Sequence, residues 1–188
     1  MIPKSIIISG FGVIGTETLY QIVKINKKKK LNISILDKDF SNFPGGIAYS
    51  KLNSKYGFFN NPLRLSNIEF KKWVKKIKNQ RKLIEYFKSN RDLKLSNWVL
   101  KNVSKKTNKF NNIDELYLPR SAYAIYLEEK FLKTLKILKL KKHIKINFYE
   151  NQLVKITKDK NNKRYSCHLN EDLKEKNIIV KNNNFFFK

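Results

Sequence analysis

Three glycines and one aspartate have the types and spacing to do chemistry. Gly10-Phe11-Gly12-Val13-Ile14-Gly15 is a G-x-G-x-x-G run. An apolar stretch at 5–9 precedes it, and a stretch at 16–25 follows with Leu19, Ile22 and Val23 at helical spacing. The next run alternates Leu31, Ile33 and Ile35 and ends on Asp37, 22 residues after Gly15. This is the strand–turn–helix–strand setting in which such a turn cradles a dinucleotide. Gly10 would allow the tight turn, Gly12 the approach of a pyrophosphate to the backbone, and Gly15 the close packing of helix on strand. The helix start would offer amides and partial positive charge to the phosphates. Asp37 would accept hydrogen bonds from the ribose hydroxyls, which favours a ribose without a 2′-phosphate. The motif serves NAD and FAD equally, and its bland reading is a strand–helix turn that holds nothing.

The remaining chain must supply elements around that turn. Ser66-Asn67-Ile68-Glu69 reads as a capping box, with the Ser66 oxygen taking the Glu69 amide. A helix should follow, with Phe70, Trp73, Val74 and Ile77 on one face, and a second near 81–89. The stretch 90–115 is polar and weakly patterned and reads as a long excursion. Pro119 starts the strongest helical pattern, with Tyr123, Leu127, Phe131, Leu135 and Leu138 at three- and four-residue steps. Alternating runs at 144–148, 154–156 and 165–169 predict short strands, with a turn at 159–163. Ile178-Ile179-Val180 predicts a last strand, and 182–188 has no usable pattern.

Composition excludes several classes. Cys167 is the single cysteine and His143 and His168 are the two histidines, so a disulfide framework, a multi-cysteine zinc site and a His-rich metal site are ruled out. Cys167 is expected in a core, and both histidines at the surface. No apolar stretch approaches the roughly 20 residues of a membrane span, so no membrane partner is expected and the cytoplasm is the default location. The formal net charge is +26, but only five of the 41 basic residues are arginine (Arg64, Arg81, Arg91, Arg120, Arg164). Arginine is what bidentate recognition of phosphate and guanine prefers. Lysines spread along the whole chain read as solvated faces, so a nucleic-acid partner is not the leading expectation. The run Lys27-Lys28-Lys29-Lys30 reads as a loop between helix and strand.

All six glycines lie at or before Gly57, which concentrates close backbone approaches near the N-terminus. After Asp37 comes Gly45-Gly46-Ile47-Ala48-Tyr49-Ser50. This resembles an FAD/NAD(P)-binding family in which an acid is followed by G-G-V-A-Y-S, and which includes flavoproteins similar to N-hydroxylating monooxygenases and to a urate hydroxylase. Asn60-Asn61-Pro62-Leu63-Arg64-Leu65-Ser66 resembles the family's L-N-V-P segment. Phe70-Lys71-Lys72-Trp73 is similar to its D-F-x-x-W-L helix, and 118–127, containing Pro119-Arg120 and Tyr123, to its P-R-x-x-Y-G-x-Y-L block. The resemblance covers roughly residues 5–157.

The resemblance implies an α/β fold: a Rossmann-like FAD-binding βαβ domain with a helical insertion and a small antiparallel β segment. It implies one incomplete domain over 1–188, with the dinucleotide unit at 1–40, a cofactor-covering helical region at 41–140 and short strands at 141–180. It implies FAD held at Gly10, Phe11, Gly12, Val13, Ile14, Gly15 and Asp37, with Gly45 and Gly46 passing the flavin side. Arg120 would lie near the cofactor or the substrate entry, and the backbone at Val154 would meet the adenine. NAD(P)H would be the reductant, the substrate a small molecule, and no catalytic residue is assigned. The bland reading of Arg120 is a helix-start arginine paired with an acid. Tyr123, Tyr126, Leu127 and Trp73 are expected to pack rather than to do chemistry. Ala124 and Ser9 depart from the family pattern, and no second glycine motif follows Gly57. The resemblance therefore implies the N-terminal part of such a flavoprotein, C-terminally truncated, with a partner chain as one way to complete the fold. Two other readings stay open: an NAD(P)-dependent dehydrogenase, and a lysine-driven binder of nucleic acid or anionic surfaces. A truncated chain with no function of its own is a further one.

Overall fold

The computed structural model describes residues 4–49, 57–89, 92–158, 165–170, 175–176, 178–181 and 184–187. In chain order the elements are β1 (Lys4–Ser9), α1 (Val13–Ile25), β2 (Leu31–Asp37), the single turn α2 (Gly46–Tyr49), α3 (Ile68–Val74), α4 (Ile77–Ser89), α5 (Leu93–Asn102), α6 (Ser121–Leu140), β3 (Ile144–Glu150), β4 (Leu153–Lys158), β5 (Tyr165–Leu169), β6 (Glu175–Lys176), β7 (Ile178–Lys181) and β8 (Asn184–Phe187). The result is the expected α/β class. The chain divides into two compact units, Met1–Gly46 with Leu127–Lys188, and Ile47–Tyr126.

The first unit carries a sheet in the order β1-β2-β3-β6. β1 and β3 both run parallel to β2, and β6 pairs antiparallel with β3. The register sets Ile6 beside Ile33 and Ile146, and Ile8 beside Ile35 and Phe148. Period-two alternation puts these side chains on one face, where Ile8, Ile33, Ile35, Ile144 and Phe148 form a core with Leu19 and Val23 of α1 and Phe131 of α6. The opposite face carries Ser5, Asn32, Ser34, Lys145 and Asn147, together with Ile7 and the buried Leu36. The alternation read at 31–36 therefore points the way expected.

Two basic side chains tie this unit together. Lys141 donates to the carbonyls of Val23 and Asn26 at 2.6 and 2.5 Å. A cation there satisfies carbonyls left over at the C-terminus of α1 and opposes its negative end. Lys130 pairs with Glu17 and lies 4.6 Å from the Tyr20 ring centroid. At 5% exposure it is an exception to the expectation that the lysines sit on solvated faces. Lys27, Lys28, Lys29 and Lys30 do form an exposed loop.

In the second unit α3 starts one residue later than the capping box predicts. Asn67 is the cap and accepts from the amides of Glu69 and Phe70 at 2.9 and 3.3 Å. Ser66 is committed elsewhere, because its amide closes a 3-10 turn onto the Leu63 carbonyl. Phe70, Trp73 and Val74 are buried, but Ile77 starts a new helix and is exposed, so the single expected face is split between α3 and α4. Within the stretch expected as an excursion, residues 92–115 are more regular than expected. They contain α5, capped by Asp92, which accepts from the amides of Lys94 and Leu95. Leu95 and Val99 bury the inner face of α5.

In the first unit again, strands form at 144–150, 153–158, 165–169 and 178–181 as expected. The turn expected at 159–163 lies outside the described residues. The stretch without a pattern contains β8, which pairs with β7 from Ile178–Phe187 to Lys181–Asn184. Its side of the hairpin is Asn followed by three phenylalanines, too short a run to show a period. Cys167 in β5 is half-buried rather than buried in a core. Its neighbour His168 is exposed and lies 3.0 Å from the Thr157 hydroxyl.

Candidate functional site

The turn between β1 and α1 is built from backbone. The Gly10 amide donates to the Leu36 carbonyl at 2.8 Å, carrying the strand pairing to the edge of the turn. Gly10 then adopts φ +84°, a conformation costly to any residue with a Cβ. A Cβ on Gly15 would stand 2.2 Å from the Gly10 carbonyl oxygen, so that position excludes every side chain. Gly12 caps α1 with no side-chain hydrogen bond, and the first turn of α1 holds no acid. The first amides of this 13-residue helix thus have neither an internal acceptor nor a side-chain cap. Their partial positive charge is what a phosphate needs.

Phe11, Val13 and Ile14 fill different roles in this turn. Phe11 is 1% exposed, stacked on Phe43 at 4.9 Å and edge-on to Phe131 and Phe148. Its ring anchors the turn to the core. Val13 is half-buried and Ile14 is exposed.

Asp37 fastens the turn from the neighbouring strand. Its Oδ2 accepts the Phe11 amide at 2.5 Å and its Oδ1 accepts the Asp39 amide at 3.1 Å. A carboxylate offers about four acceptor positions, so two remain for hydroxyl donors. The Asp37 carbonyl also accepts the Asn151 amide at 2.8 Å, which brings the chain leading into β4 to the same end of the sheet. The β4–β5 register shifts between Leu153 and Lys155. Val154 falls at that irregularity, outside the ladder, and its side chain is exposed. Residues at such bulges keep backbone groups out of the pairing.

The second glycine pair meets the first. A Cβ on Gly12 would lie 3.6 Å from the Gly46 Cα and 3.8 Å from the Gly45 carbonyl oxygen. Gly46 has φ +64°, and a Cβ there would lie 3.3 Å from the Gly12 Cα. The two stretches thus approach backbone to backbone. Thr16 holds them in place by donating its hydroxyl to the Pro44 carbonyl at 3.0 Å. Thr16 escaped sequence reasoning; a β-branched hydroxyl one residue past the motif, on the packed face of a helix, is the signal that marks it. Just before this pair, Asp39 accepts from the amide and hydroxyl of Ser41 at 2.7 and 2.6 Å. Those two hydrogen bonds, the hydroxyl first, hold its carboxyl below the usual aspartate range.

Arg120 belongs to the second unit. Its amide donates to the Gly57 carbonyl at 2.8 Å and its Nε to the Phe58 carbonyl at 3.0 Å. Its guanidinium carbon lies 5.9 Å from the Tyr49 ring centroid. Among the described residues, backbone and ring partners hold it, in place of the acid of the bland reading. Tyr49 also packs on Tyr123 at 5.3 Å, and Phe70 on Tyr123 and Tyr126 at 4.8 and 5.4 Å. Phe58 bridges Pro119, and the Leu63 amide donates to Leu116. Segments spread from 49 to 126 in the sequence thus assemble into one cluster. Trp73, Tyr126 and Leu127 are buried as expected, and Tyr123 is half-buried.

Among the described residues no group of three His, Cys, Asp or Glu side chains comes together to hold a metal ion. Among them, too, no helix is long and apolar enough to cross a membrane.

No curated protein matches the chain in a sequence comparison. A family model does: that of the FAD-NAD(P)-binding family, over residues 7–179. The match takes in the glycine turn, Asp37, the second glycine pair, Arg120 and the β4–β5 hairpin. The backbone-built turn, the acid that closes it and the breadth of this match lead to one conclusion: the chain belongs to the FAD-NAD(P)-binding family.

Proposed function

We propose that the chain binds FAD and forms the FAD-binding part of a flavin-dependent oxidoreductase of the monooxygenase-like kind. The observation that carries this reading is the meeting of Gly12 with Gly45 and Gly46 beside an uncapped helix start. Gly10 and Gly15 shape the turn, and the first amides of α1 receive the pyrophosphate. Asp37 keeps two acceptor positions for the adenosine ribose while its other two hold the turn closed. Val154 offers backbone groups to the adenine. Arg120, braced by Phe58 and Tyr49, is a cation suited to a phosphate or an anionic substrate. The flavin, when bound, supplies the redox chemistry, with NAD(P)H as reductant and a small molecule as substrate. The lone Cys167 suits a reducing compartment such as the cytoplasm.

The test is a competition. At roughly 50 μM FAD, a concentration that reveals affinities of that order, the chain should perturb the flavin spectrum and quench its fluorescence. A tenfold excess of NADH should leave that signal in place. Displacement by NADH, or binding of NADH without FAD, would move the reading to a nicotinamide-dependent dehydrogenase.

A further inference from the structure

A cleft of about 360 Å³ lies within the unit Ile47–Tyr126, and no residue of the glycine turn or of the cluster around Arg120 lines it. That volume falls in the range of small-molecule sites, roughly 300–1,000 Å³. Its apolar wall is Val99 and Leu100 from the last turn of α5, with Val103 at the C-cap. Val99 and Val103 are buried, whereas Leu100 is 66% exposed. Its rim is Lys88 from the last turn of α4, with Ser104, Lys105 and Asn108 of the turn that follows α5. No acid lines it.

The rim is held by backbone. The Ser104 amide donates to the Lys109 carbonyl at 2.9 Å, and the Ser104 carbonyl accepts the Asn108 amide at 2.8 Å. Asn108 takes φ +49° to close this turn, and the Thr107 amide donates to the Ser104 Oγ at 3.3 Å. Val103 bridges Phe110, whose amide donates to Oε1 of the buried Gln80 in α4 at 3.2 Å. The turn is thereby locked to α4, and a rim ordered in advance lowers the cost of binding. Among the described residues the Lys88 and Lys105 ammonium groups and the Asn108 side-chain amide have no hydrogen-bond or ion-pair partner, and the Ser104 hydroxyl keeps its proton to donate.

We propose that this cleft binds a small amphipathic carboxylate. The apolar body would lie on Val99, Leu100 and Val103, and the carboxylate would take donors from Lys88, Lys105, Ser104 and Asn108. Charge selects a single anionic group. α4 and α5 both end at the cleft, and each C-terminus brings about half a negative charge. Set against two lysines, that leaves about one positive charge. A monoanion balances it, a dianion such as a phosphate monoester overshoots it, and a cation is repelled. The proposal does not depend on which nucleotide the glycine turn holds.

Methyl and side-chain amide NMR on the intact, isotope-labelled chain tests it. The probe is phenylbutyrate; phenylbutanol and phenylbutylammonium are its neutral and cationic counterparts. Phenylbutyrate should shift the Val99 and Val103 methyls and the Asn108 side-chain amide together, saturating with a Kd of about 1 mM or tighter. Raised salt should weaken it. The alcohol should bind at least about tenfold more weakly, and the ammonium should leave these signals in place. Lys88→Glu combined with Lys105→Glu should weaken phenylbutyrate about tenfold or more. Leu100→Glu, which puts an acid on the apolar wall, should do the same. All three side chains are exposed, so the thermal melts of these variants should match that of the parent chain. Three results would overturn the proposal. One is the lack of a saturable shift at Val99 and Val103 up to about 10 mM phenylbutyrate. Another is equal affinity for the acid and the alcohol, which would leave an apolar cleft with no anion site. The third is unchanged phenylbutyrate affinity in the two folded glutamate variants.

Discussion

Around Gly12 two stretches of chain meet with no side chain between them, whereas around Phe70 the chain is held by rings. Gly46 stands 3.6 Å from where a Cβ on Gly12 would be. Phe70, in the other unit, is fully buried and packed by Phe59, Trp73, Tyr123 and Tyr126. The first arrangement leaves amides and carbonyls within reach of a ligand and has room at Gly12 for little more than one added carbon. The second buries large apolar area and exposes little backbone, so it stabilises more than it recognises. The proposed nucleotide contacts and the stability thus rest on different residue types, and substitutions should separate them.

The largest effect is expected at Gly15. Gly15→Val forces a branched side chain onto the Gly10 carbonyl, and should cost about 4 kcal/mol or more, a large share of a typical domain's stability. A thermal melt would show it as loss of the folded baseline. Phe70→Ala comes next, at about 3–5 kcal/mol for a fully buried ring. Phe70→Leu should recover much of that, because a ring-filled core responds to volume; denaturant melts of the two variants check this. Gly12→Ala should be gentle by the same measure, within about 1 kcal/mol, since its Cβ meets Gly46 at ordinary contact distance. Its effect should fall on nucleotide affinity instead, and a melt paired with an FAD titration separates the two. If Gly12→Ala melts like Gly15→Val, the contrast between a fold glycine and a ligand glycine is lost.

The smallest effect concerns pH. The Ser41 hydroxyl and amide lower the Asp39 carboxyl below its ordinary range. A depressed acid contributes stability above its unfolded value and loses it as pH falls through the folded one. The turn before Pro44 should therefore hold across neutral pH and loosen only in acid. Ser41→Ala should raise the Asp39 titration toward the ordinary aspartate value, read from its carboxyl carbon shift by NMR.

What was legible in the sequence follows the same division. Gly10, Gly12, Gly15 and Asp37 could be placed because a turn made of backbone needs particular residues at particular spacings. The strands around Ile6, Ile33 and Ile146 could be read because one face is apolar throughout, while the other mixes Ser, Asn and Lys with Ile7 and Leu36. Helix α5 is hidden because the exposed Leu93 and Leu100 blur the face that Leu95 and Val99 bury, although Asp92 in front of them is a cap. The capping-box pattern sets the start of α3 one residue early because Ser66 and Asn67 are both good caps, and only the 3-10 turn ending at Ser66 decides between them. The contact of Gly46 with Gly12 had no local signal, since it joins positions 34 residues apart through Thr16 and Pro44.

The most direct measurement is an FAD titration followed residue by residue on the isotope-labelled chain. Binding at the glycine turn predicts the largest amide shifts at Gly12, Val13, Ile14 and Gly15, with Phe11 and Gly46 following and the loop at 27–30 unmoved. An unperturbed turn, with shifts confined to lysine-rich surfaces such as 27–30, would contradict the assignment of this turn as the nucleotide site.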